Sequence, residues 1–356
     1  MHFKRRPARQ ATSDTMPRQP EVKFEVGRRR WRISNHARVP LILAAVTFCL
    51  LLSSLCLHAP PAAVAQSKSD HAEDAQSKPV SMSGLLEIGQ ASKIAAATHA
   101  PVELKLVSYN MRWSGGVELQ KLIKLLHDDL VIGHASIIGL QEADRHKKRT
   151  DYANTARVMA ESLGMHYAWA APPSGEDEEE ETGVAILSPY KLIDVERIVL
   201  PNEGPQKRRR VALGATVLVG DTPVRVYSVH GETRMAVERK VEHWRGVLED
   251  LARYPKVERV VVLGDFNTTK GKDVKAARKL FTGAGFMTPF PDDRSTWRTF
   301  IIKLKLDWMW LRGLKPIAFG VDEKVGMSDH WPLWASVKFE RGTDAPPPSS
   351  PSGSRP

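Results

Sequence analysis

The run "RVVVLG" (259–264) is apolar without alternation, as a strand buried on both faces requires, and it stops at Asp265-Phe266-Asn267. The same ending recurs along the chain. Asn110 closes "LKLVSYN", Glu142 closes "ASIIGLQE" and His230 closes "VRVYSVH". Asp307 interrupts "LKLDWMW", while Asp329 and His330 stand in "MSDHWP", just ahead of the strand-like run "LWASVKF". Residues two apart in an extended chain project to the same side, so Asp265 and Asn267 are expected to face one cleft with Phe266 turned back into the packing. Any fold for this chain must therefore bury several strands while lining one edge of its sheets with carboxylates, carboxamides and imidazoles. Desolvating that many polar groups with nothing to bind is costly, which favours a site over coincidence.

Helical patterns lie between the strand-like runs. In "VELQKLIKLLHDDL" (117–130), Leu119, Leu122, Ile123 and Leu126 share one face, and residues 152–164 read as a second helix. A third, over 233–253, places Val237, Val241, Trp244, Leu248 and Leu251 on one stripe. "VAILS", "VALGATVLV" and "PVRVYSVH" read as further strands. Strands outnumber helices but are interspersed with them, so the expected class is α/β, with sheets packed between helices in one domain over 101–341.

The flanks read differently. A basic leader with "RRPAR" and "GRRRWR" precedes the apolar run "VPLILAAVTFCLLLSSLCL" (39–57), and Ala63-Val64-Ala65 follows as a small-x-small site. This pattern predicts export, with cleavage after Ala65, or a membrane anchor at 39–57 with the basic side cytoplasmic. Residues 66–100 read as a flexible linker and 342–356 as a disordered Pro/Ser-rich tail. The formal net charge of +11 invites a nucleic-acid reading, but residues 1–65 hold +8 of it, leaving about +3 for the remainder. The run "GEDEEEE" (175–181) is expected to be a solvated loop that would repel a long polyanion.

The residue inventory selects a chemistry. Cys49 and Cys56 both lie inside the apolar run, so a metal site elsewhere has only oxygen and imidazole ligands. Carboxylates and carboxamides suit a hard divalent ion such as Mg²⁺ or Mn²⁺, which keeps positions for water and a substrate phosphate. Histidines beside carboxylates supply an acid or base, and no Ser or Cys nucleophile signature is present. The combination reads as metal-assisted hydrolysis of a phosphate ester by water.

"LVSYN", "LQEAD", "VHGETRMAVERK", "LGDFN", "LDWMW" and "SDHWP" follow one another in an order that resembles the endonuclease/exonuclease/phosphatase superfamily, whose members include deoxyribonuclease I-like nucleases, sphingomyelinases and 5-phosphatases. The resemblance spans roughly residues 102–340. It implies a four-layer sandwich of two packed mixed β-sheets flanked by helices, as in deoxyribonuclease I. It further implies Glu142 as the principal metal ligand with Asn110 and Asp329 near the ion, Asp265 as the group that activates water and Asn267 as its positioning partner. His330 paired with Asp307 would donate to the phosphoryl oxygen or act as acid or base, and His230 would contact the phosphate from the other side. Arg239 would brace a loop; Glu242 stands where the family often has Gln.

His at position 230 disfavours an abasic-site repair enzyme and leaves nuclease, phospholipid-type and phosphatase branches open. The substrate is expected to be a phosphate ester: nucleic acid, phospholipid or small organophosphate, with no protein partner inferred. The alternatives are a phosphomonoesterase of the same fold and a membrane-tethered binding module without catalysis. "KRRRVAL" (207–213) reads as solvated charge leading into a strand. Trp310 and Trp334 are expected in the core, and Trp308 and Trp331 at the cleft.

Overall fold

The computed structural model describes residues 84–94, 103–173 and 181–339. The leader, the apolar run 39–57, Ala65, the acidic run up to position 180 and the C-terminal tail lie outside the described residues. Among the described residues no helix is long and apolar enough to cross a membrane.

Strands that are apolar on both faces need cover on both sides, and two sheets packed together with helices outside provide it. Numbered in chain order, the larger sheet holds β1 (Leu86–Gln90), β2 (Leu104–Asn110), β3 (Ile137–Arg145), β4 (His166–Ala170), β5 (Glu181–Ser188), β13 (Leu314–Val321) and β14 (Leu333–Phe339), ordered β1-β4-β5-β3-β2-β14-β13. The second holds β6 (Leu192–Val199), β7 (Val211–Val219), β8 (Thr222–His230), β9 (Arg259–Asp265) and β12 (Asp307–Arg312), ordered β12-β9-β8-β7-β6. A short hairpin of β10 (Trp297–Arg298) and β11 (Lys303–Leu304) stands apart.

Both sheets are mixed. Each has one parallel pair, β2–β3 and β8–β9, and parallel neighbours need a crossover. Helix α1 (Gly116–Asp128) makes the first. Helix α2 (Thr155–Leu163) follows β3, opened by the Asn154 side chain accepting from the amides of Ala156 and Arg157 and closed by left-handed Gly164. Helix α3 (Val237–Leu251) makes the second crossover, and α4 (Gly271–Gly283) leads from β9 toward β12.

Three apolar layers hold the four together. Leu106, Ile137, Ile186, Leu213, Val226, Val261 and Leu263 fill the space between the sheets. Leu122, Leu126, Met159 and Ala160 pack on Val107 and Ile138 outside the larger sheet, and Trp244, Val247 and Phe281 pack on Val260 and Val262 outside the smaller. Strand β9 thus feeds two layers by alternation, Val260 and Val262 outward and Val261 and Leu263 inward, which accounts for its unbroken apolar run. The expected four-layer sandwich is the observed one.

Several boundaries differ from expectation. The linker expected over 66–100 contains β1, which extends the larger sheet by pairing antiparallel with β4 from Leu86↔Ala170 to Gln90↔His166. Strands β4, β6 and β13 and helix α4 are additional to the sequence reading. Strand β3 does not end at Glu142 but runs on to Arg145, with a bulge between Gln141 and Ala143. Asp307 does not interrupt its strand but opens it.

Glycine is required where β9 ends. Gly264 has φ +131°, and a Cβ there would lie 2.1 Å from the Val229 carbonyl oxygen of β8. No side chain fits that geometry without moving β8 and β9 apart. Gly264→Ala is therefore expected to lower stability by about 3 kcal/mol or more, because strain and clash act together. Urea unfolding would read this as a lower midpoint, and an unchanged midpoint would refute the close approach.

Candidate active site

Register brings the polar strand ends together. On three adjacent strands of the smaller sheet, His230 pairs with Asp265 and Asp265 with Asp307, so the three residues stand in one row. In the facing sheet Asn110 ends β2 opposite Gln141, the residue before Glu142. Glu142 itself sits on the β3 bulge with φ 55°, a conformation that re-aims its side chain out of the strand's alternation.

Asp265 is the junction. Its Oδ2 accepts from Asn110 Nδ2 at 3.1 Å and Asn267 Nδ2 at 3.3 Å, and its Oδ1 accepts from the Asn267 amide at 2.9 Å. The same Oδ2 lies 3.7 Å from His330 Nε2 and 3.8 Å from His230 Nε2. Asn110 also donates to Glu142 Oε1 at 3.3 Å, and His230 Nε2 is 3.9 Å from that oxygen. Asn267 has φ 53° and donates through Nδ2 to the Gly231 carbonyl at 3.0 Å. Phe266 is buried in the outer layer as expected, against Trp244 and Phe281.

The two imidazoles are in opposite electrostatic settings. His330 Nδ1 lies 2.9 Å from Asp307 Oδ2. Burial disfavours charge on His330, but Asp307 and Asp265 outweigh it and raise its pKa to about 10. His230 is driven well below its usual value by burial, by the Arg210 guanidinium 3.5 Å away and by the charge on His330. Burial raises Asp265 to about 7, with His330 opposing. Asp329 is at the rim, 31% exposed, where it accepts from Trp297 Nε1 at 3.0 Å and lies 3.8 Å from Arg112. Its charge reaches Glu142 and His330, but among the described residues no direct bond joins it to either.

A family model described as Endonuclease/Exonuclease/phosphatase family matches residues 107–330, well over half of the chain. The chain belongs to the endonuclease/exonuclease/phosphatase family. Solved structures show the same fold at low identity. The endonuclease/exonuclease/phosphatase from Beutenbergia cavernae superposes with a TM-score of 0.55 at 16% identity, covering 67% of this chain and 72% of that one. The human Nocturnin catalytic domain with bound sulfate gives 0.51 at 19%, covering 68% and 97%. Humanized D. rerio TDP2 gives 0.51 at 19%, covering 67% and 100%. No curated protein matches the chain in sequence.

Members of the endonuclease/exonuclease/phosphatase family are generally hydrolytic phosphoesterases that depend on divalent metal. The residues present fit a cation at Glu142. Its Oε2 is buried with no hydrogen-bond partner among the described residues, and burial raises its pKa against the Asn110 bond. A hard divalent ion would satisfy an orphaned carboxylate oxygen of this kind. A second group, Asp265, Asp307 and His330, brings one donor atom of each within 4.8 Å. There, however, Asp307 Oδ2 is already engaged by His330 and by Thr296 Oγ1 at 2.6 Å. That engagement suits proton handling better than ligation.

Several residues around the site escaped the sequence reading. Thr296 orients Asp307, donating to its carboxylate and accepting from the amides of Leu306 and Asp307 at 3.0 and 2.9 Å. The cluster at 207–213 is not simply solvated, since Arg208 and Arg210 both bind the buried carboxylate of Glu232 at 3.0 Å. Arg239 is exposed and no bond of its side chain to a described residue braces the loop; the adjacent Lys240 does so, reaching the Asn267 carbonyl at 2.5 Å and Asp273 at 2.9 Å. Trp308 and Trp331 are buried rather than cleft-lining, Trp308 stacking on Trp310 at 4.7 Å, while Trp334 is half-buried. Only Glu232, two residues beyond His230, carried a local hint.

A raised histidine pKa stabilises the fold fully below the unfolded value near 6.5, and that contribution is lost as pH rises through about 10. In metal-free protein, the stability advantage of wild type over His330→Gln should shrink across that window, as read by urea unfolding. His230 should stay neutral by ¹⁵N NMR well below pH 6.5. Both histidines titrating near 6.5 would contradict the assignment.

Proposed function

We propose that the protein hydrolyses a phosphodiester by attack of water, with Mg²⁺ or Mn²⁺ held by Glu142 and with Asn110 and Asp329 beside the ion. The observation that carries the reading is the focus on Asp265 Oδ2, which both imidazole Nε2 atoms approach within 3.8 Å from two sides. When bound, the cation would polarise a phosphoryl oxygen and offset charge as the bond to water forms.

The chain's own groups divide the remaining work. Asp265, with its pKa raised to about 7 by burial, takes the proton of the attacking water as the oxygen–phosphorus bond forms and the ester P–O bond breaks, the alcohol departing as an alkoxide that takes a proton from solvent water. Asn267 fixes the Asp265 carboxylate through two bonds and so sets the direction of attack. His330, kept cationic by Asp307, donates through Nε2 to a phosphoryl oxygen. Neutral His230 offers a hydrogen bond from the opposite side.

The charge of about +3 outside residues 1–65 gives little field for a long polyanion, which favours a phospholipid or small organophosphate over DNA. Export, or anchorage through 39–57, belongs to this reading; if the segment is removed, N-terminal sequencing of the native protein starts at Gln66.

The purified protein should hydrolyse bis(p-nitrophenyl) phosphate only with added divalent metal. Asp265→Asn and His330→Ala should each lower turnover about 10²–10⁴-fold. Asp265→Asn should keep the fold but lower its stability by about 1–3 kcal/mol, because the amide sets an N–H group against a donor of Asn110 or Asn267 and removes the anion beside His330. Full turnover in excess chelator would sink the proposal; activity restricted to monoesters would favour the phosphatase alternative.

A further inference from the structure

Beta turns favour Gly, Pro, Asn, Asp and Ser at their corners. The turn joining β10 to β11 has none of these. It reads Thr299-Phe300-Ile301-Ile302, closed by the Thr299 amide donating to the Ile302 carbonyl at 2.8 Å. Phe300 is fully exposed, Ile301 is 90% exposed and Ile302 is 48% exposed. Scattered exposed apolar residues need no explanation, but three in sequence at a projecting tip do. No packing against the described residues accounts for them.

Cations flank the tip. Arg298 and Lys303 are both exposed and rest on the Trp331 ring at 5.2 and 5.6 Å. The hairpin is tied directly to the candidate active site. The Arg298 amide donates to the Asp329 carbonyl at 3.0 Å, Trp297 Nε1 reaches the Asp329 carboxylate, and Thr296 holds Asp307. On the other flank of Asp329 stands Arg112, next to Trp113, which is 40% exposed and packs against the Arg149 guanidinium at 4.1 Å. The rim of the site thus carries an apolar tip and a second aromatic, both bordered by arginine or lysine.

We propose that this hairpin inserts Phe300 and Ile301 into the surface of an anionic phospholipid bilayer, presenting the active site to phosphodiesters of lipid headgroups. The composition is that of an interfacial anchor: apolar side chains for the acyl boundary, and cations for headgroup phosphates held in place over the buried Trp331 ring. A protein partner would more often meet a flat or concave apolar patch than a four-residue turn with charge on both shoulders. The substrate part of the proposal rests on the phosphoesterase reading; the docking part does not.

The test places an environment-sensitive fluorophore on Ile301→Cys in the full chain, with Cys49 and Cys56 replaced by serine. The reference label sits on Leu130→Cys, 94% exposed and beside Lys105 near the start of β2. That position is a strand length, roughly 20 Å, from the site. The probes are vesicles of phosphatidylcholine, alone or mixed with phosphatidylglycerol. Since the run 39–57 could tether the chain by itself, label environment is read rather than co-sedimentation.

The label at 301 should shift to the blue and be quenched by acyl-brominated lipid, and the label at 130 should not respond. Anionic lipid should tighten binding by about fivefold for each flanking cation. Phe300→Ser combined with Ile302→Ser should weaken partition of the labelled tip at least about tenfold. A label at 301 that stays in water on both vesicles, an equal response at 130, or a concentration-dependent shift without lipid, which would mean a second copy covers the tip, overturns the proposal. Hydrolysis of a soluble phosphodiester by the same preparation separates the two readings. Turnover with a water-exposed tip removes the docking alone, and an inserted tip without metal-dependent turnover removes the phosphoesterase reading alone.

Discussion

The site depends on a polar seam that crosses between the two sheets. Gln141 Nε2 donates to Ser228 Oγ at 3.0 Å, Ser228 Oγ donates to the Leu140 carbonyl at 3.0 Å, and Asn110 reaches Asp265 of the facing sheet at 3.1 Å. These bonds lie at one end of an otherwise aliphatic layer, where an unmet polar group is costly and a met one fixes position. Small size at position 139 leaves room for the packing between the sheets: a Cβ at Gly139 would meet Leu263 Cδ1 at 1.9 Å, so a side chain there would have to displace the Leu263 side chain that fills the space between β3 and β9. With the sheets held at that spacing, strand register alone sets His230, Asp265 and Asp307 in a row facing Asn110 and Glu142.

The parts of the fold that the sequence made legible are those that follow from period. Val260 to Leu263 alternate between two apolar layers, and Leu119 to Leu126 repeat at helical spacing, so β9 and α1 follow from local pattern. The polar residue at the end of each buried strand was equally visible, because it breaks the apolar run. What escaped has no period. Strand β1 is an edge strand made by pairing with β4, and "LEIGQ" alone does not announce it. The bulge at Glu142 looks like a strand end until β3 is seen to continue. Thr296 is 11 residues from Asp307 in sequence, and Glu232 is 22 from Arg210, so their bonds exist only once the chain is folded. Likewise Trp308, next to Asp307, was expected at the cleft, yet being two residues from Trp310 in β12 it shares that residue's face, and both rings lie stacked in one buried layer.

The two histidines show how neighbours set function where residue type does not. Both are buried, both present Nε2 to the same Asp265 oxygen, and burial alone would make both neutral. His330 has Asp307 on its far nitrogen and becomes a cation; His230 has the Arg210 guanidinium 3.5 Å from both of its ring nitrogens and stays neutral. Arg210 is in turn balanced by Glu232, which is buried and shared with Arg208, so the cation that suppresses His230 is itself held in place. A phosphate ester entering between the imidazoles would meet a charged donor on one side and a neutral one on the other. That asymmetry gives a direction to the proposed reaction: negative charge that grows on the phosphoryl oxygens is drawn toward His330, while Asp265, between the two, is left to accept a proton.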